Sequence, residues 1–275
     1  MKTITYTEFI HALEQYGTAV HCEMYANNYT NYYSAEEPGD AEYIYDRGCV
    51  IRSEDYEYEG WQWIWRNIHQ VEPDADIDAV GTEYFEEAKK YAKSFARYSL
   101  NVIAFTVSNG DLPPQKDRFG GWRNFSRMGE TVIPDARVRR LTAEDADRIR
   151  ECCAPSLTDD GDTIYGKRLA EEFSDYDFAY AQDKYALYGI FEDGVLVGMA
   201  TSMYVGGLDL AWLMNIFIAP DYRGRGLASA LVRAALADYP DKKWHYQVAQ
   251  KNLPSIALAK TLGFTLEGAG LYLES

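Results

Sequence analysis

The feature that most constrains this chain is the junction IFIAPDYRGRGLASAL at residues 216–231. A β-rich apolar run stops at Pro220. A turn carrying Gly224 and Gly226 then feeds directly into a helical pattern. The first amides of a helix have no partner within the helix, and they sit at the positive end of its dipole. Glycines at the turn leave no side chain to block a close approach to them. Such a corner is a cradle for a diphosphate. Arg223 and Arg225 add positive charge and Ser229 adds a hydroxyl donor, whereas Leu227, Leu231 and Ala234 fall on one helical stripe that reads as core.

Three ligand chemistries compete for this turn, beside a purely structural β-to-α turn. A dinucleotide site needs Gly-x-Gly-x-x-Gly, but the sixth position is Ser229. Only 46 residues follow Ser229, too few for the further βα units of a dinucleotide fold. A P-loop needs Gly-Lys-Ser/Thr, which is absent. An acyl-CoA pyrophosphate turn, Arg-x-x-Gly-x-Ala, is met by Arg223, Gly226 and Ala228.

The elements around the junction follow from pattern. Val138–Leu141 reads as a short strand, and Thr142 with Asp145 caps a helix reaching about Cys153. A second helix is expected near Gly166–Phe173. Two β-runs joined at Glu192-Asp193-Gly194 form a hairpin. After the junction helix come a strand at Lys243–Ala249, a helix over Pro254–Leu262 stopped by Gly263, and a last strand. The predicted order of this half is β-α-α-β-β-β-α-β-α-β.

Residues 1–135 read as a separate α+β domain and residues 136–275 as an α/β domain. Thr5 and Glu8 form a capping box at the head of a helix closed by Gly17. A hairpin is expected around Asp46–Gly48. Apolar residues at 84, 85, 88, 91, 92 and 95 have helical spacing, and Asn101–Val107 is β-rich. In WQWIW, Trp61, Trp63 and Trp65 alternate onto one strand face. The simplest reading is core; the sharper one is an aromatic wall for an amine. The stretch from Gly110 to Ala136, with its prolines and glycines, reads as an irregular connector. No short-period repeat is visible.

Composition excludes several classes. With 43 acidic and 27 basic residues the net charge is -16, which disfavours a nucleic acid partner and suits solubility or a cationic ligand. The longest apolar run, around Leu210–Pro220, is too short for a bilayer span and carries Asn215, so no membrane partner is expected. The N-terminus has no apolar signal core. Cys22, Cys49, Cys152 and Cys153 make no metal-ligand spacing, so no metal is expected and a reduced, cytoplasmic chain is the simplest reading.

Two blocks together resemble the GNAT superfamily of acyl-CoA-dependent N-acyltransferases. One is Pro-x-x-Arg-Gly-x-Gly-Leu-Ala after a strand, matched over Ile216–Ser229. The other is a strand, an Asn and a helix ending Leu-Gly-Phe, standing here as YQVAQKNLPSIALAKTLGF. The resemblance covers Val138 to the C-terminus and implies a GNAT-like mixed sheet with flanking helices. It further implies that the strand Ile216-Phe217-Ile218 lays its backbone, through Ile216 and Ile218, along a pantetheine arm. Residues Arg223, Gly224, Arg225, Gly226, Leu227, Ala228 and Ser229 are then expected to hold the pyrophosphate. Asn252 matches the family's cofactor-side Asn, and Ser255, one turn on, is expected to bind the cofactor or cap its helix.

The proton-handling residues depart from the family. Ala259 stands where many members carry a Tyr acid, and Gln247 where many carry a Glu. The substitutes expected from position are Tyr272, His245 and Asp209, each with a plain structural alternative: packing for Tyr272, a strand histidine for His245, a turn residue for Asp209. The expected activity is transfer of an acetyl group from acetyl-CoA to a primary amine of a small molecule or peptide, by direct attack in a ternary complex. The N-terminal domain is expected to cover or shape the acceptor site. The rival expectation is a GNAT-fold sensor or scaffold that binds acyl-CoA without turnover.

Overall fold

The computed structural model describes residues 1–16, 41–107, 119–158, 164–181, 185–205 and 210–273. They form two compact units. The first comprises Met1–Phe125, Gln247–Ile256 and Thr265–Ser275; the second comprises Ser126–Tyr246 and Ala257–Phe264. The division therefore does not follow a single cut near residue 135, because the last strand of the chain pairs inside the first unit.

In the first unit, β1 (Lys2–Thr3) precedes α1 (Tyr6–Tyr16). The expected capping box is formed, with Thr5 N donating to Glu8 Oε2 at 2.8 Å and Glu8 N donating to Thr5 Oγ1 at 3.2 Å. Strands β2 (Ala41–Asp46), β3 (Cys49–Tyr58) and β4 (Trp61–Gln70) run as antiparallel neighbours. The β2–β3 hairpin turns at Arg47-Gly48, where the sequence placed it. Helix α2 (Ile77–Ala92) leads to β5 (Tyr98–Val107), which lies parallel to β4. The final strand, β12 (Thr265–Leu273), pairs antiparallel with β5.

The core of this unit lies between α2 and one face of its sheet, where Val80, Phe85 and Ala88 meet Ile51, Ile64, Ile68 and Val102. The alternation in WQWIW therefore places Ile64 in the core and turns Trp61, Trp63 and Trp65 to the opposite face. Trp61 is 43% exposed, Tyr56 stacks on Trp63 with ring centroids 6.2 Å apart, and Arg97 lies 5.6 Å over the Trp61 ring. The core reading of the three tryptophans is thus corrected. β-Branched isoleucine packs under the helix, and Trp63 and Trp65 are half-buried on the other face.

The stretch read as connector contains a strand, β6 (Phe119–Met128), which runs across the boundary between the units. Trp122, Asn124, Phe125 and Ser126 are all buried. A strand buried on both faces shows no polar–apolar alternation, so glycines at its start hid it.

In the second unit, β7 (Val138–Arg140) is followed by a 3₁₀ turn at Ala143–Asp145 and by α3 (Ala146–Thr158), α4 (Ile164–Ser174) and the short α5 (Phe178–Ala181). Thr142 and Asp145 make the expected capping box. Strands β8 (Tyr185–Glu192), β9 (Val195–Val205) and β10 (Leu210–Ile218) form an antiparallel run after β7. Helix α6 (Leu227–Asp238) leads to β11 (Lys243–Ala249), parallel to β10, and α7 (Leu253–Thr261) follows; the end of β11 and the start of α7, within Gln247–Ile256, belong to the first unit. Residues of α3 and α4, among them Ile149, Cys153 and Phe173, pack on Leu187, Met199 and Phe217 of the sheet. Helix α6 packs on β8–β10, burying Leu231, Val232 and Ala235 completely. The expected order of elements is present, with α5 added.

The two units repeat one plan. Among the described residues, each has a short strand and then helix (one helix in the first unit, three in the second), continues with three strands paired antiparallel in sequence, and then sends a helix to a strand parallel to the third.

Candidate acyl-donor and acceptor site

In the second unit, β10 does two things at once. Against β9 its register shifts between Leu213 and Ile216, where three steps on β10 oppose two on β9 from Ser202 to Ala200. This bulge sets Met214 and Asn215 out of the ladder. Against β11 its parallel pairing runs from Leu210 to Leu213, opposite Lys243 to Tyr246. The parallel pairing ends at Leu213, before Met214–Ile218. Of the strand residues singled out above, Phe217 is 2% exposed and its ring is core, whereas Ile216 and Ile218 are half-buried.

The junction after β10 is a tight turn. Pro220–Tyr222 form a 3₁₀ turn, Gly224 and Gly226 both have φ +77°, and Gly226 is the N-cap of α6. That left-handed conformation is available to glycine at little cost. A Cβ added at either glycine would meet nothing within 4 Å, so the corner is open. Arg223 to Gly226 are exposed, while Ala228 and Ser229 are half-buried at the head of the helix. Ala230 N makes the first helical bond, to Gly226 O at 3.3 Å, which leaves the amides of Leu227, Ala228 and Ser229 at the free end of the helix. The arginines hold the turn: Arg223 Nε donates to Ile218 O at 2.9 Å and an Arg225 amino group to Asp221 O at 2.7 Å. Leu227 is 2% exposed and packs as core.

Beside the bulge lies a cavity of about 280 Å³. Met214 and Asn215 line it from β10, Thr201 from β9, and Glu172 and Phe173 from α4. Asp175, Tyr176, Asp177 and Tyr185 complete it. Glu172 is held from two sides: Asn215 Nδ2 donates to its Oε2 at 2.8 Å and Arg168 Nε to its Oε1 at 2.9 Å. Asn215 N donates to Thr201 Oγ1 at 3.2 Å, so the bulged residue is fixed through both its backbone and its side chain. Asp177 accepts from Ala179 N at 2.8 Å and so caps α5. Burial, with the neighbouring Tyr185, pushes the Tyr176 phenol up to about 12 and keeps it protonated at neutral pH.

His245 is 3% exposed in the second unit, its ring edge-on to Trp212 at 6.1 Å, and it does not line the cavity. Tyr272 belongs to the first unit, opposite Ile103 on β5. Asn252 and Ser255 also belong to the first unit, where Ser255 N donates to Asn252 Oδ1 at 3.2 Å, so that Asn252 caps α7, one of the two roles expected of Ser255. Asp209 and Cys22 lie outside the described residues. Burial raises the thiols of Cys49 and Cys152 to about 12 and that of Cys153 to about 11, so none of these three is a thiolate nucleophile.

Sequence reasoning missed the cavity residues. Two signals were present: Asn215 interrupts an otherwise apolar strand, and Asp175 and Asp177 alternate with Tyr176 and Phe178 directly after a helix.

The acetyltransferase (GNAT) family pattern matches residues 148–264. A streptothricin acetyltransferase of Escherichia coli is 30% identical over 156 residues, covering 53% of this chain and 85% of that protein. A putative [ribosomal protein bS18]-alanine N-acetyltransferase of Bacillus subtilis (strain 168) is 31% identical over 134 residues, covering 46% of this chain and 80% of that protein. In fold, the chain is similar to a GCN5-related N-acetyltransferase from Sphaerobacter thermophilus, with a TM-score of 0.53, 11% identity, and coverage of 98% of this chain and 93% of that one. The chain belongs to the GNAT family, and it is an acyl-CoA-dependent N-acyltransferase.

Proposed function

We propose that the second unit transfers an acetyl group from acetyl-CoA to a primary amine that enters the cavity beside the β10 bulge. The observation that carries this is the open corner at Gly224 and Gly226, set at the end of a strand whose pairing with β11 stops at Leu213. The amides from Gly224 to Ser229 take the pyrophosphate, with Arg223 and Arg225 keeping the turn in shape. The backbone of Ile216, Phe217 and Ile218 offers the pantetheine arm a strand to pair with. The thioester then reaches the bulge, where Met214 and Asn215 face the cavity.

The acceptor arrives as an ammonium, since a lysine-like amine has a pKa of about 10.4. Glu172, Asp175 and Asp177 supply the negative charge that draws it in. Before attack the ammonium must lose a proton, and Glu172, oriented by Asn215 and Arg168, is the carboxylate placed to receive it or pass it to water. The neutral nitrogen attacks the thioester carbonyl. A new C–N bond forms and the C–S bond breaks. The thiolate leaves and takes a proton, for which Tyr176 is a donor that is still protonated at neutral pH. A CoA thiol of about the cysteine pKa, ~8.5, needs little further help.

Thiol release from acetyl-CoA, followed with spermidine, putrescine, lysine and an aminoglycoside as acceptors, tests this reading. Turnover with a cationic amine, reduced at least tenfold by Glu172→Gln, supports it. Acetyl-CoA bound without turnover by any amine would favour a sensor instead.

A further inference from the structure

The repeated plan of the two units invites a comparison of their corresponding junctions. In the second unit the donor corner lies between β10 and α6. In the first, the same place in the element order lies between β4 and α2.

The two corners are built oppositely. At the head of α2 the N-cap is Asp76, whose Oδ1 accepts from Ala79 N at 2.9 Å. A carboxylate therefore already sits where a phosphate would bind. The turn before it is filled: Val71 N and Glu72 N donate to Gly48 O at 2.9 and 3.0 Å, and Gln70 Nε2 donates to Glu72 O at 3.0 Å. A Cβ on Gly48 would stand 2.9 Å from Ala75 Cβ, so the β2–β3 hairpin closes over this turn. The segment Val71–Val80 carries Glu72, Asp74, Asp76 and Asp78 and no basic residue. A diphosphate would meet like charge and occupied amides.

The slot beside the corner is shut as well. Parallel pairing of β4 with β5 runs from Gln62 opposite Tyr98 to His69 opposite Phe105, whereas that of β10 with β11 ends at Leu213. The β3–β4 register continues without a shift from Cys49–Gln70 to Tyr58–Trp61, so there is no counterpart of the β10 bulge. No pantetheine arm fits between strands that are zipped together. The far edge of β5 is taken by β12, the last described strand of the chain.

We propose that the first unit is a second copy of the acyltransferase fold that has lost its donor site, so that each chain binds one acyl-CoA, at α6. This rests on the donor reading of the Gly224–Ser229 corner given above.

The test uses the full chain with acetyl-CoA as probe. Hydrogen exchange measured with and without saturating acetyl-CoA should slow in peptides covering residues 224–230 and stay unchanged in those covering 71–80. Titration calorimetry should return one equivalent per chain. Two equivalents, or slowed exchange over 71–80, would overturn the proposal while leaving the donor reading of α6 intact. No slowing in either segment and no heat would overturn the donor reading, and the count of one with it.

Discussion

Asn215 donates from its side-chain amide to Glu172 at 2.8 Å, tying the bulge of β10 to the last turn of α4. A bulge that re-aims a side chain is a common device beside a reactive centre. Here it fixes one carboxylate of the cavity and, through the backbone of the same residue, the strand on which the thioester is expected to lie. Asn215→Ala should therefore raise the KM for the amine about tenfold, equivalent to ~1.4 kcal/mol, just under the low end for losing a hydrogen bond to a charged group because the bond acts on the amine only through Glu172. Acetyl-CoA affinity should not change. Steady-state kinetics with each substrate varied in turn separates the two.

The pairing of Arg139 with Asp145 predicts an acid limit to stability. Arg139 donates to both carboxylate oxygens, at 2.8 and 2.7 Å, and Arg148 adds a third bond at 3.1 Å. These bonds hold the Asp145 carboxyl well below the usual range, against the opposing effect of its burial. A lowered folded pKa means stability that is present above the unfolded value, ~3.9, and lost as pH falls below it. Asp145→Asn should cost about 1–3 kcal/mol at pH 7, a range that allows for the half-exposed Arg139. The variant should also flatten the fall in stability below pH 4. Urea unfolding across pH 2.5–7 measures both.

Capping of α2 gives a prediction confined to the first unit. Asp76→Ala removes the side-chain acceptor for Ala79 N and should destabilise by about 0.5–2 kcal/mol. It should leave acetyl-CoA affinity where it was. The pair of measurements is thermal unfolding followed by calorimetric titration of the same sample.

Leu231 is fully buried in α6, beyond the first turn that carries the free amides. Leu231→Ala should cost about 2–5 kcal/mol by leaving a cavity under the helix. Donor affinity at temperatures where the variant stays folded should fall by less than it does on changing the turn itself. Denaturant unfolding and titration at 10 °C test this.

Much of the second unit was legible because its signals are local. A capping box, a hairpin turn and a glycine-opened helix each act within a few residues, and Thr142 with Asp145, Asp193-Gly194 and Gly224 with Gly226 are formed as the pattern implies. What stayed hidden depends on partners distant in the chain. β6 reads as a connector because both its faces are buried. The tryptophans of β4 were read as core because alternation shows that residues share a face, not which face lies under α2. The pairing of β12 with β5 joins residues near 268 to residues near 107, and no local pattern announces it. The cavity is likewise assembled from α4, β9 and β10, so Glu172 and Asn215 meet only in the fold. The repeat of the whole plan is preserved in strand order and pairing rather than in residues, and the junctions that correspond, VEPDADI and PDYRGRGL, share no glycine.

The central claim is that the amides bared by Gly224 and Gly226 grip the phosphates of the acyl donor. Titration calorimetry of acetyl-CoA into the native chain and into Gly226→Asp measures it most directly, with circular dichroism confirming that the variant is folded. An aspartate there puts a negative charge at the helix head and forces a non-glycine residue to φ +77°, at a cost of about 1–2 kcal/mol in strain. The account predicts saturable binding to the native chain and an affinity at least tenfold weaker in the variant. Equal affinity in the two proteins, or no binding to the native chain, would contradict it.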